Sequence, residues 1–384
     1  MTYDVIVVGG GLVGLAMAAA LERGGIKIAL VEAREPDLAA SAAWDTRVYA
    51  ISPGSQRFLE QLGVWQRLDP ARLAPITRME VAGDDNGMIE FDAFDAGASE
   101  LATIVEASAL QRALWQVLDA SDSLDKLIGA EPRGLETTSD AAHLALDNGM
   151  RLQARLVIGA DGGESWIRQA ANISSSAYRY AADGLVANFR VERAHRGIAR
   201  QWFRGDSVLA WLPLPDRHIS IVWATPRAKE LAALSGPQLA QAVEQGGSGD
   251  LGRLELVNKA AFFPLRLLKV ATPIAQRIVL IGDAAHNVHP LAGQGVNLGF
   301  ADAATLAAQL SQPAAKRDYG HAGLLRRYAR ARKADVIAMQ AATHGLQKLF
   351  AAHHPAMRRL RNYGLDMTNS QGWLKELFVR HAFG

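Results

Sequence analysis

The chain has 384 residues, 49% hydrophobic and 21% charged, which is ordinary for a globular core and argues against disorder. Its 41 Lys and Arg against 39 Asp and Glu leave a net charge of +2, so there is no electrostatic case for nucleic acid as a partner. The absence of cysteine excludes a disulfide framework, a thiol nucleophile and a thiolate metal site, and fits a reducing, cytoplasmic setting.

The length allows two domains or one large interleaved unit. Met1 to Val8 lacks the basic then apolar regions of a secretory signal. The apolar run Leu12 to Leu21 is too short to span a bilayer and is closed by Glu22 and Arg23, so any membrane contact is expected to be peripheral.

Asp4 to Val8 reads as a buried parallel strand. Gly9-Gly10-Gly11-Leu12-Val13-Gly14 then supplies Gly-x-Gly-x-x-Gly, and a helix is predicted to about Gly24. A second strand, Ile28 to Val31, ends at Glu32, where the dinucleotide fingerprint needs a ribose acceptor. Gly9 permits the tight turn, Gly11 lets a pyrophosphate reach the helix start, and Gly14 lets helix meet strand. This fingerprint does not separate FAD from NAD.

A small-residue loop from Ala39 leads into Asp45-Thr46-Arg47, and Ser55 to Leu62 is amphipathic with Phe58, Leu59 and Leu62 on one face. Ile76 to Ala82 and Met88 to Phe94 read as strands around Gly83-Asp84-Asp85-Asn86-Gly87. Ala107 to Ala120 is predicted helical with Leu110, Leu114 and Leu118 in register. His143 to Leu146 and Arg151 to Ile158 form a hairpin across Asp147-Asn148-Gly149. The second strand runs into Gly159-Ala160-Asp161-Gly162-Gly163, where Asp161 is a candidate acceptor and Ser165 a helix cap.

From Gly184 to Pro226 the pattern becomes short, alternating and β-rich, with Trp202, Trp211 and Trp223 in separate strands. Inward aromatics there suit either a wall for a planar substrate, with Trp211 as the candidate lining residue, or plain sheet core. Ser235-Gly236-Pro237 carries helix-start grammar. Phe262-Phe263-Pro264-Leu265 then leads back to the first unit.

Ile278 to Ile281 is a short buried strand, stopped by Gly282 and followed by Asp283, an acceptor-only side chain suited to a polyol. Beyond Pro290, Gly293-Gln294-Gly295 turns into a helix from about Val296 to Leu310 whose free N–H groups favour negative charge, as on the N1–C2=O edge of a reduced flavin. His286 and His289 stand at i, i+3, but without clustered carboxylates or cysteines they do not make a metal site. Leu324 to Phe350 reads as a long helix with a solvated basic face of Arg326, Arg327, Arg330, Arg332 and Lys333. The segment from Pro355 mixes Leu360, Trp373 and Phe378 with Arg358, Arg359 and Arg361, a composition that suits an anionic membrane surface or packing on the body.

The string Gly-Asp-Ala-Ala-His from Gly282, with His-Pro-Leu-Ala-Gly-Gln-Gly-Val-Asn-Leu-Gly from His289, resembles the second FAD motif of the single-component flavoprotein aromatic hydroxylases, in particular the branch acting on ubiquinone precursors. The Gly9 fingerprint and the Asp161-Gly162 motif occur in that family's order, so the resemblance covers nearly the whole chain. It implies an α/β fold: a Rossmann-like FAD domain with a parallel sheet (1–75, 100–172 and 270–345), interleaved with an antiparallel-sheet substrate domain (76–99 and 173–269), and a C-terminal helical tail (346–384). It assigns Arg47 to the FAD, Gln111 to the flavin phosphate region, and Asp161 to FAD and the passing pyridine nucleotide. Asp283, Gly293, Gln294, Gly295, Val296 and Asn297 fall to the flavin, and Pro290 to the substrate side.

The implied chemistry is a flavin reduced by NAD(P)H, which visits transiently because only one fingerprint is present, then capture of dioxygen as a C4a-hydroperoxide and transfer of one oxygen to a phenolic ring. A water-poor pocket would protect that species. Three readings follow. The preferred one is a hydroxylase of polyprenylated phenols or quinols in ubiquinone synthesis, working at a membrane surface or beside other proteins of that synthesis. The second is a hydroxylase of a small aromatic acid, which should show a buried arginine for the carboxylate. The third is a FAD-stabilised scaffold subunit. No residue is assignable as general acid or base from the sequence.

Overall fold

The computed structural model describes residues 1–39, 41–83, 87–95, 97–119, 123–288 and 294–351. Its first sheet is ordered Ile274–Ala275, Ile278–Leu280, Arg151–Gly159, Thr2–Val8, Ile28–Glu32, Leu124–Ile128, with the last five strands parallel. The strands Pro132–Thr137 and Ala142–Leu146 attach antiparallel to Arg151–Gly159. Alternation along Thr2–Val8 explains the layers. Val5 and Val7 join a core with helices α1 (Leu12–Glu22), α3 (Ala107–Asp119) and α7 (Gly295–Leu310), while Ile6 and Val8 join one under the hairpin.

The second sheet is ordered Leu254–Leu256, Ser175–Val191, His218–Thr225, Ser207–Leu214, Ile198–Arg204, Arg78–Ala82, Met88–Asp92, and Ala261–Val270 also pairs with Ser175–Val191. It is not wholly antiparallel: Ile198–Arg204 runs parallel to Arg78–Ala82. One face packs on α5 (Ala228–Ala232) and α6 (Gly236–Gly246). The other meets Phe350 of α8 (Ala322–Ala351), and Ile76 and Ile104 of a three-stranded sheet.

That third sheet, Val48–Ile51, Ala102–Glu106 and Ala74–Ile76, corrects the reading of 76–82 as one strand. The chain switches sheets at Thr77, whose N–H donates to Gly197 O at 3.0 Å and whose carbonyl accepts from Ala93 N at 2.9 Å. Leu110, Leu114 and Leu118 are all buried on α3. Ser52 caps α2 (Pro53–Gln61), and Ser235 with Gln238 forms a capping box on α6. Helix α8 runs unbroken across residue 346, where a tail was expected to begin, and residues 352–384 lie outside the described set.

Candidate functional site

At the first strand end, Gly9 has φ 112, and a Cβ there would lie 2.4 Å from the Ala160 carbonyl oxygen. Only glycine permits both. A Cβ on Gly14 would lie 2.0 Å from Gly9 O, whereas one on Gly11, the residue capping α1, meets nothing within 4 Å. The turn is thus tight where it touches protein and open where α1 starts. The Glu32 carboxylate accepts from Gly10 N and, at 2.9 Å, from Arg34 N, which sets it beside that opening.

The strand Ile278–Leu280 ends at Gly282, with φ 58, packed against Val13 of α1. Asp283 next to it is open to solvent on one side and walled by protein on the others. Desolvation raises its pKa; the charge of His286, a hydrogen bond from Asn287 and the charge of Arg47 oppose that rise. Tyr49 joins the same cluster: burial raises its phenol, while the Arg47 guanidinium beside it counteracts. Arg47 itself is exposed, on a loop anchored by Asp45, whose carboxylate accepts from Arg47 N at 2.9 Å and from Ser108 N of α3 at 3.0 Å. Gln111 is half-buried on α3, with no hydrogen bond among the described residues.

Asp161 is committed locally. Its oxygens accept from Ser165 Oγ at 2.5 Å and Ile167 N at 3.0 Å, fixing the start of α4 (Trp166–Ala170). Sequence reasoning missed its neighbour Arg168, a buried side chain donating to Ala284 O at 2.9 Å and Gly163 O at 2.8 Å. This guanidinium ties the Asp-Gly motif to the strand end carrying Asp283. Nothing in the local pattern marks it, because the partner that makes the link, Ala284 O, lies 116 residues along the chain.

At the start of α7 the first helical bond is Leu298 N to Gln294 O at 3.1 Å, so the N–H groups of Gly295, Val296 and Asn297 precede the ladder. The Asn297 side chain is spent on protein, accepting from Ser52 N at 3.0 Å and donating to Ala50 O at 2.8 Å. Buried Gln294 keeps Nε2 without a partner among the described residues. Gly293, Pro290 and His289 lie outside the described residues. His286 is held by a buried aspartate, Asp302, at 2.7 Å.

Two readings need correction. Trp211 is 1% exposed, stacked edge-on against Trp202 at 4.7 Å and packed over Gly247; Trp202, Trp211 and Trp223 all belong to the helix-covered face of the second sheet. They are sheet core, not a substrate wall. Arg332 is not solvated: it is buried and donates Nε to Asp302 Oδ1 at 2.7 Å. Its spacing held the clue, since it sits four residues after buried Tyr328, on the stripe that α8 turns inward.

These features fit FAD. An opening at the start of α1, an acceptor at Glu32, a recessed carboxylate at Asp283 and unladdered N–H groups at the α7 start suit a dinucleotide joined to an electron-rich ring. Comparison agrees. The model of the family described as FAD binding domain matches residues 2–343. The chain is 34% identical over 388 residues to 3-demethoxyubiquinol 3-hydroxylase of Escherichia coli, covering 99% of this chain and 98% of that protein. It is 33% identical over 433 residues to the mitochondrial ubiquinone biosynthesis monooxygenase COQ6 of Mus musculus, covering 99% of this chain and 90% of that protein. A solved structure of pqsL, a probable FAD-dependent monooxygenase from Pseudomonas aeruginosa, superposes with a TM-score of 0.79 at 23% identity over 95% of this chain and 99% of that one, a likeness of fold.

The site is that of a FAD-binding oxidoreductase. The chain belongs to the FAD-dependent monooxygenase family represented by these relatives, with NAD(P)H as the co-substrate typical of the class. No helix among the described residues is long and apolar enough to cross a membrane.

Proposed function

We propose that the protein hydroxylates the aromatic ring of a polyprenylated phenol or quinol in ubiquinone biosynthesis, consuming NAD(P)H and dioxygen and releasing water. The observation that carries this reading is identity along essentially the full chain to relatives bearing that activity in their names. The arginine inventory supports it over a small aromatic acid. The three buried arginines among the described residues are all spent: Arg168 on two carbonyls, Arg277 on Asp318 and Ser139 O, Arg332 on Asp302. Arg200, also largely buried, pairs through Nε with Glu80 at 2.9 Å and keeps Nη1 without a partner among the described residues, but it stands opposite Trp211 on the helix-covered face, away from the FAD unit. The sheet face turned toward the FAD unit carries the partly buried Met79, Phe91 and Leu212, and Phe263, 39% exposed, covers Gly184.

Bound FAD would relay electrons from NAD(P)H to dioxygen, one atom of which goes to the ring and the other to water. The chain's own part is binding, orientation and water exclusion. Glu32 takes the ribose hydroxyls, Gly11 opens the α1 start to the pyrophosphate, and Arg47 and Gln111 neutralise or hydrogen-bond the phosphates. Asp283 would accept from the ribityl hydroxyls, and the N–H groups of Gly295, Val296 and Asn297 would stabilise negative charge on the flavin. Asp161 acts by shaping the Gly162–Gly163 turn. A lipid-soluble substrate implies work at a membrane surface or beside other proteins of the synthesis.

Incubation with NADPH, labelled dioxygen and either a prenylated phenol or a hydroxybenzoate tests the assignment. Label is expected in the prenylated product. Turnover of the benzoate alone would transfer the assignment to small aromatic acids, and a flavin that never oxidises NADPH would favour a scaffold.

A further inference from the structure

Asp302 lies in α7 with no exposed surface, and a buried carboxylate persists only when fully hydrogen-bonded. It accepts from Gly282 N at 2.9 Å, from His286 Nε2 at 2.7 Å and from Arg332 Nε at 2.7 Å. Burial alone would raise its pKa, but His286 and Arg332 outweigh that and hold the carboxyl below its usual value. The three donors belong to three different parts of the chain: the end of the flavin strand, the loop after it, and α8. Gly282 immediately precedes Asp283 and His286 follows it three residues later. The loop is held again at Asn287, whose carbonyl accepts from Gln340 Nε2 of α8 at 3.2 Å and whose N–H donates to Leu268 O at 3.2 Å.

We propose that Asp302 is the positioning residue of the flavin cradle: by gripping the backbone before Asp283 and the imidazole after it, it aims the Asp283 carboxylate at the cofactor, with Arg332 of α8 as the counter-charge that makes this burial tolerable. A hydrophobic residue at 302 would stabilise the packing at least as well. The ionic arrangement earns its place through direction. Asparagine at 302 has the same shape but no charge, and its NH2 must face either Arg332 Nε or the pair Gly282 N and His286 Nε2, so either the counter-charge contact or the grip on the loop is lost. The inference rests on the FAD reading and deepens it.

Apoprotein titrated with FAD, followed by quenching of flavin fluorescence, tests it in a double-mutant cycle of Asp302→Asn and Asp283→Asn. Asp302→Asn in the parent is expected to weaken FAD binding by at least about tenfold and to shift the visible flavin bands at saturation. In the Asp283→Asn background the same change should cost less than about twofold, because there is no carboxylate left to aim. Independent effects in the cycle, or unaltered affinity and spectrum in Asp302→Asn, overturn the proposal while leaving FAD binding intact. A parent apoprotein that takes up no FAD overturns both. His286→Gln is the second variant should Asp302→Asn fail to fold, with the same cycle and the same two outcomes.

Discussion

The side-chain amide of Asn188 donates to the main-chain carbonyl of Asp45 at 2.8 Å, joining the second sheet to the loop that carries Arg47 across 143 residues of sequence. Asn188 is fully buried, and Asp45 in turn anchors Arg47 and the start of α3. One amide therefore couples the second sheet to the loop proposed to meet FAD.

Asn188→Leu removes that donor and leaves the Asp45 carbonyl unsatisfied in the interior. The expected cost is about 1–3 kcal/mol in denaturant unfolding of the apoprotein. Because the Arg47 loop loses one of its tethers, FAD affinity should fall as well. Loss of stability with unchanged affinity would mean that the remaining tethers, Asn258 Nδ2 to Trp44 O at 3.0 Å and Asp45 N to Glu106 at 2.6 Å, suffice to hold the loop.

The glycines of the first turn separate folding from binding. Gly14→Ala drives a methyl into the Gly9 carbonyl and should destabilise the apoprotein by about 1–3 kcal/mol through overpacking. Gly11→Ala meets nothing in the protein, so its melting should match the parent. Its FAD affinity should nonetheless drop by at least about tenfold, since the methyl stands where phosphate approaches the helix. Equal FAD affinity in Gly11→Ala and parent would place the pyrophosphate elsewhere.

This contrast shows which parts of the molecule were legible. The first fingerprint and the flavin strand are local: Gly9 and Gly14 are each required by a contact within the motif or one strand away, so residue order carries the geometry. Helix faces such as Leu110, Leu114 and Leu118 were equally plain, because period alone decides them. The sheet switch at Thr77 was not, since its partners Gly197 and Ala93 are set by tertiary pairing. Arg332 stood on a readable stripe but was masked by its basic neighbours. Asn188 and Arg168 left no trace, as each answers to a carbonyl that no local pattern can name.

Trp211 tests the corrected face assignment. Its ring fills the space between Trp202 and Gly247, and its indole N–H has no partner among the described residues. Trp211→Ala should cost about 3–5 kcal/mol in stability, as a large core cavity does. Trp211→Phe should cost far less, because it discards the unpaired N–H along with part of the ring. In Trp211→Phe the KM for the aromatic substrate should stay within about twofold of the parent, since the residue lies behind the sheet. A selective rise in KM would restore it to the substrate wall.

Asp283 should display opposite signs in stability and binding. Desolvation raises its folded pKa above the ordinary value of 3.8, so the folded apoprotein holds the proton more tightly than the unfolded chain does. The sign follows from linkage: the contribution of this group is fully favourable below the unfolded pKa and is lost as pH rises through the folded one. At about pH 8 the carboxylate therefore detracts from apoprotein stability, and Asp283→Asn should melt at or above the parent temperature. That advantage should shrink as pH falls toward 3.8, where the parent carboxyl takes up its proton. Adding FAD reverses the ranking. At about one hundred times its dissociation constant, FAD should stabilise the parent by about 2.7 kcal/mol, and the variant, lacking the anionic acceptor for the ribityl hydroxyls, should gain much less. Paired melting curves with and without FAD across this pH range measure both effects. An Asp283→Asn protein that is less stable than the parent without FAD, and equally stabilised by it, would assign the carboxylate to holding the loop instead of the cofactor.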